Sequence, residues 1–234
     1  MNTQMHFPPE FDLDLFWHFE GVKSGGQQPS RASQRMAARL LPEALSLANP
    51  MAYFQSFGVR RIQKKCLELE NRTCFTGGLV GRLLGGSQEV VVLICTLGPA
   101  MENRASQYFS EGYPARGYLL DRLGTLALGA LAERARQEIE FSAQARGMKS
   151  STPISPGHAD WPLAEQRVLF DLLPSKETGV ALTQSHLMKP NKSLSMVIGL
   201  GEKIITHTEA SQCQYCPLKK TCTYCHLPGN EWYT

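Results

Sequence analysis

The chain has 234 residues, 42% of them hydrophobic and 9% aromatic, with 24 Lys+Arg against 21 Asp+Glu and a net charge of +3. That composition supplies enough apolar material for a full core, and the near balance of charge excludes the clustered basic surface of a nucleic-acid binder. The N-terminal "MNTQMHFPPEFDLDLFWHFEG" carries acids where an export signal needs a basic start, and the most apolar run, "EVVVLICTLGPAM", is too short to cross a bilayer. The expectation is a cytoplasmic protein without a nucleic-acid or membrane partner.

In chain order, "SRASQRMAARLLPEALSLA" at 30–48 predicts a helix, capped by Ser30 and kinked or split by Pro42. "MAYFQSF" and "VRRIQKKCLEL" predict two strands, and "EVVVLICTL" at 89–97 predicts a central strand buried on both faces. Gly98-Pro99 ends that strand and opens a helix. Residues 115–146 give the longest helical pattern, in which Gly117, Gly124 and Gly129 are expected where a neighbouring element approaches closely. Asp121 and Arg122 stand among leucines, so one of them is expected to be drawn inward and paired.

The segment "SPGHADWPL" at 155–163 stops the helical region, turns on Gly157 and starts a short helix, "WPLAEQRVLFDLL", with Asp160 expected as its N-cap. "GVALTQSHLM" and "SLSMVIGLG" predict strands joined by the turn "KPNK", with His186 as a satisfied structural histidine in the first. Strands and helices without a regular βαβ repeat predict an α+β fold with a mainly antiparallel sheet.

Four of the seven cysteines fall in the tail "CQYCPLKKTCTYC". Cys213, Cys216, Cys222 and Cys225 give C-x2-C-x5-C-x2-C, two pairs able to form one four-thiolate shell for zinc or an iron–sulfur cluster. The spacer is shorter than the usual zinc patterns, and "CTYCH" also fits a haem-attachment pattern, which the lack of an export signal disfavours. Cys66, Cys74 and Cys95 are expected as buried apolar side chains. The glycines near "LVGRLL" form no phosphate-binding loop, and no G-x-S-x-G elbow is present.

Taken together, three segments resemble the activation domain of cobalamin-dependent methionine synthase, in its order and spacing over roughly residues 58 to 201. They run "VVLICTLGPAMENRASQYFSEGYPARGYLLDRLGTLALGALAE", "SPGHADWPLAEQRVLFDLLP" and "GVALTQSHLMKPNKSLSMVIGLG". The resemblance implies a curved, mainly antiparallel sheet flanked by helices, here with a small C-terminal metal or cluster knuckle. It divides the chain into an N-terminal segment at 1–57, an activation-domain-like core at 58–205 and a Cys-rich tail at 206–234.

The resemblance also implies a function. The family's domain binds S-adenosylmethionine and docks over a cobalamin module whose cobalt has been oxidised. A flavodoxin- or ferredoxin-type reductant supplies one electron, and the sulfonium methyl passes to the reduced cobalt. A stand-alone chain of this kind would partner a corrinoid-binding protein, or a methionine synthase lacking its own activation domain. The alternative is a non-catalytic corrinoid-protein binding module that has lost S-adenosylmethionine. The implied ligand residues are Ser155, Pro156, Gly157 and His158, with Glu133 on the long helix and Gln184 and Ser185 in "LTQS". The family's loop reads Arg-x-x-Pro-Gly-Tyr, whereas this chain has Pro153 and His158 at the arginine and tyrosine places. Arg146 and Lys149 are the cations nearest in sequence that could stand in for the arginine.

Overall fold

The computed structural model describes residues 2–9, 11–20, 29–173, 175–206 and 212–221. Strand β1 (Asn2–His6) is followed by helices α1 (Leu13–Phe19) and α2 (Arg31–Leu47). Strands β2 (Met51–Gln63), β3 (Cys66–Leu69) and β4 (Cys74–Thr76) then lead to helix α3 (Gly78–Leu83). Strand β5 (Glu89–Thr96), helices α4 (Ala100–Ser110) and α5 (Pro114–Gln144), and strand β6 (Lys149–Ser150) come next. A 3-10 helix at Leu163–Glu165 runs into α6 (Gln166–Leu172), then α7 (Ser175–Thr178), β7 (Ala181–Leu182), β8 (Met188–Lys189) and β9 (Ser193–Gly201). A second 3-10 helix spans Gln212–Tyr215.

The run of β-branched residues in β5 is central, as its sequence requires. It pairs antiparallel with β2 and β9, in a sheet ordered β4-β3-β2-β5-β9-β6 with β1 added along β2. Every strand pairing among the described residues is antiparallel. Alternation along β5 then divides the core, because successive side chains leave a strand on opposite faces. Val91, Leu93 and Cys95 pack with α2, α4 and α5, whereas Val90, Val92 and Ile94 pack with α3, α6 and Trp161. The fold is α+β, a curved antiparallel sheet flanked by helices.

Several expectations change on contact with the tertiary structure. The two strands expected at 51–69 merge: β2 continues through Gly58, pairs with β5 up to that residue, and passes a register shift between Val59 and Arg61 to pair with β3. That bulge bends the strand. Helix α2 runs unbroken through Pro42. Ala37 and Leu40 on one side of the proline and Ala44 on the other are buried, and Glu43 accepts hydrogen bonds from Arg104 (2.7 Å) and Tyr108 (2.7 Å). These contacts hold the helix across the missing N–H.

Among the helix glycines, only part of the expectation holds. A Cβ at Gly117 would meet the Ala105 carbonyl oxygen at 2.9 Å, and one at Gly124 would meet the Lys192 side chain at 3.1 Å. A Cβ at Gly129 would meet nothing within 4 Å, so no neighbour explains that glycine. Asp121 and Arg122 are both paired, with Lys192 (2.8 Å) and Glu20 (2.5 Å).

Cys95 is buried as expected, and burial pushes its thiol pKa far up. Cys66 and Cys74 instead form a disulfide across the β3–β4 hairpin, their Cα atoms 6.2 Å apart. The antiparallel register sets Cys66 opposite Thr76, two residues from Cys74, which brings both thiols to one side of the hairpin. No helix among the described residues is long and apolar enough to cross a membrane.

Candidate functional site

The "SPGHADWPL" loop is anchored by its tryptophan. Trp161 is 1% exposed and meets Phe75 edge-on, ring centroids 6.1 Å apart. The approach to β4 and α3 is close enough to require glycine: a Cβ on Gly77 would lie 2.8 Å from Trp161 Cδ1, and one on Gly78 would collide with the Asp160 carboxylate. Gly157 has φ +94°, a conformation that L side chains rarely adopt. Its N–H donates to the Trp161 carbonyl (2.8 Å), and the Trp161 N–H donates to the His158 carbonyl (3.0 Å). These bonds close the loop into a tight knot that turns His158 outward.

Asp160 is not the helix cap. The first helical turn after the loop has Pro162 at its cap position with no side-chain bond, and Asp160 accepts instead from Arg82 of α3. Glu165 holds the other end of the turn, accepting from the Thr76 N–H at 2.7 Å. In the core beneath, buried Ser195 donates to buried Gln166 at 2.7 Å. His158 is exposed along one side. The loop nonetheless withdraws its ring from water enough to push its pKa below the ordinary histidine value, against the opposing pull of the Ser155 carbonyl. The shift favours the neutral imidazole, which does not supply the fixed positive charge of an arginine.

Three buried side-chain polar atoms have no partner among the described residues: Ser150 Oγ, Thr152 Oγ1 and Trp161 Nε1. All three belong to the segment that leads into this loop or forms it. An orphaned buried polar group costs about 1–3 kcal/mol, so an internal water or ion is the partner such inaccessible atoms would take.

The other sequence-predicted residues are dispersed. Gln184 and Ser185 are exposed at the tip of a hairpin, because "GVALTQSHLM" forms no long strand. Its ends pair as β7 and β8, while the Thr183 N–H donates to the Leu187 carbonyl (2.8 Å) and Thr183 Oγ1 accepts from the Leu187 N–H (3.1 Å). His186 has φ +60° in that turn and is not a strand residue. Glu133 stands on α5, the helix side of the sheet, where its carboxylate accepts from Arg136 (2.9 Å) and Gln137 (2.5 Å). The structure does not bring it to the loop. Arg146 is committed to Glu89 at 3.0 Å, so it does not replace the arginine missing at Pro153. Lys149 starts β6 and is exposed.

Cys213 and Cys216 lie at the second 3-10 helix, closed by the Cys216 N–H donating to the Cys213 carbonyl at 3.2 Å. Cys213 is buried, and the Tyr215 ring lies under the Arg82 guanidinium, 5.0 Å from its centroid. Cys222 and Cys225 lie outside the described residues. Among the described residues no three metal-binding side chains gather.

A feature that sequence reasoning missed lies between α6 and the β7–β8 hairpin, a cleft of about 710 Å³ lined by Arg167, Phe170, Asp171, Leu182, Gln184 and His186 among others. Its sequence signal was slight. Arg167 and Asp171 are spaced four apart on a short helix, a pattern that ordinarily reads as a solvated ion pair.

The sequence matches no protein-family model and no curated protein. The fold does match a solved one, the crystal structure of the MetH reactivation domain bound to AdoHcy. The TM-score is 0.65 at 16% identity, over 85% of this chain and 78% of that one. The likeness is one of fold. That domain carries AdoHcy, S-adenosylhomocysteine, and belongs to MetH. The architecture implied by the sequence resemblance is thus present here, with the loop at 155–163 and the hairpin at 181–189 both packed against the Trp161 side of the sheet.

Proposed function

We propose that this chain assists the reductive remethylation of a corrinoid methyltransferase such as methionine synthase, binding S-adenosylmethionine while a separate protein holds the cobalamin. The observation that carries this reading is the fold likeness to a reactivation domain bound to AdoHcy. Ser155, Pro156, Gly157 and His158 would line one part of the ligand site, with Gln184 and Ser185 another. S-adenosylmethionine supplies the methyl group, and an external one-electron reductant restores the cobalt to the state that accepts it. The chain's contribution is orientation, holding donor against acceptor so that a bimolecular transfer proceeds as an effectively unimolecular one. Cys213 and Cys216, with Cys222 and Cys225, would hold a zinc ion or an iron–sulfur cluster.

The deciding experiment mixes the full chain with a cobalamin-loaded methionine synthase lacking its own activation domain, a chemical reductant and S-adenosylmethionine. Methylcobalamin should form, seen by its absorbance, only when all components are present. Stable association with the corrinoid protein without methylcobalamin formation would instead identify a binding module that has lost the cofactor chemistry. No association would remove the reading altogether.

A further inference from the structure

On α5, Arg136 and Glu140 stand four residues apart and close an ion pair at 2.6 Å. On α6, Arg167 and Asp171 have the same spacing and opposite charges, yet they do not close on one another. Among the described residues neither side chain makes an ion pair or a hydrogen bond. Both line the cleft against the β7–β8 hairpin. Two opposite charges are left side by side on α6, their Cα atoms about 6 Å apart along the helix axis, on the lining of an open cleft of about 710 Å³. That volume lies in the range of small-molecule sites.

The rest of the lining agrees with that size and polarity. Phe170 and Leu182 give the cleft an apolar wall, while Gln184 and His186 add an amide and an imidazole from the hairpin turn. The turn is held by the backbone bonds of Thr183, so both groups are presented from a fixed frame. An isolated anion would meet Asp171, and an isolated cation would meet Arg167. The complementary ligand is a zwitterion, with a carboxylate for the guanidinium, an ammonium for Asp171, and an apolar or aromatic body.

We propose that this cleft grips the α-amino-acid end of S-adenosylmethionine, with Arg167 binding the carboxylate and Asp171 the ammonium. The choice of this molecule among zwitterions rests on the function proposed above. Arg167 thus supplies from α6 the guanidinium that Pro153 cannot supply from the loop, as a bidentate partner for a carboxylate.

Calorimetry on the full chain tests this with two probes, S-adenosylhomocysteine and adenosine, which lacks the amino-acid end. Arg167→Ala should weaken S-adenosylhomocysteine about 10- to 100-fold and leave adenosine binding unchanged, while Asp171→Asn should show the same selectivity. Both positions are exposed, so circular dichroism should show the variants folded as the parent. If S-adenosylhomocysteine binds the parent and Arg167→Ala equally well, the cleft assignment is wrong and the function proposed above stands. Equal weakening of both probes also overturns it. If the parent binds neither probe, the ligand itself is wrong and both proposals fall.

Discussion

On the helix-bearing face of the sheet, charged side chains close on one another: Arg104 with Glu43, Arg122 with Glu20, Lys192 with Asp121, and Arg136 with Glu133 and Glu140. On the opposite face Arg82 closes on Asp160, whereas Arg167 and Asp171, both lining the cleft, remain apart. The first face is built from helices of 17, 11 and 31 residues. The second is built from shorter elements, a tight loop and a hairpin whose two strands have two residues each. Long helices with closed pairs and an unclosed pair beside a cleft thus fall on different faces.

Four substitutions or conditions test that division. The largest expected effect is on the loop face. Trp161→Ala removes the side chain that ties the loop to β4 and should cost about 3–5 kcal/mol in urea unfolding. A loss under about 1 kcal/mol would mean that the helix face alone carries the fold. Next comes Gly117→Ala, whose added methyl would meet the Ala105 carbonyl. It should destabilise by about 1–3 kcal/mol, since a well-packed α4–α5 contact cannot yield.

Gly129→Ala sharpens the same point with the opposite sign. The position is exposed on α5 with open space around it, so alanine should stabilise by about 0.8–1 kcal/mol, read as a rise in the midpoint of thermal unfolding. The smallest effect is in the acid range. Burial pushes the Glu43 carboxyl up, but hydrogen bonds from Arg104 and Tyr108, with the charges of Arg104 and Arg116, outweigh it and hold the pKa below the ordinary 4.5. A lowered carboxylate pKa stabilises the fold above the unfolded value, and that contribution is lost as pH falls through the folded one. Between about pH 5 and pH 3 the parent's urea midpoint should therefore fall more than that of Glu43→Gln. Parallel curves would show that this pairing contributes nothing to closing the helix face.

The sequence made some elements plain and hid others for physical reasons. A continuous β-branched run such as 90–95 has few alternatives to a central strand, and 31 residues of helical pattern survive three glycines. The start of the loop was legible too, because Pro-Gly and Asp-Trp-Pro-Leu leave the backbone little choice. The path of β2 through Gly58 was not, since its continuation is decided by β3 and β5 on either side of a bulge. Nor was the course of α2 past Pro42, which depends on Arg104 and Tyr108, distant in the chain. The hairpin at 181–189 looked like a strand because its alternation is real, but the turn rests on a positive φ at His186, which nothing in that residue type announces. The cleft is purely tertiary. Arg167 and Asp171 gain meaning only from the hairpin opposite them.

Arg82 has a practical consequence. Its guanidinium holds Asp160 of the loop and covers the ring of Tyr215 in the tail. A truncation that removes the tail to eliminate its cysteines would also strip one side of that guanidinium and uncover α3, beside the loop. Ligand affinities measured on such a shortened protein would mix two losses, whereas Cys213→Ser and Cys216→Ser, made in the whole chain, keep Tyr215 in the protein.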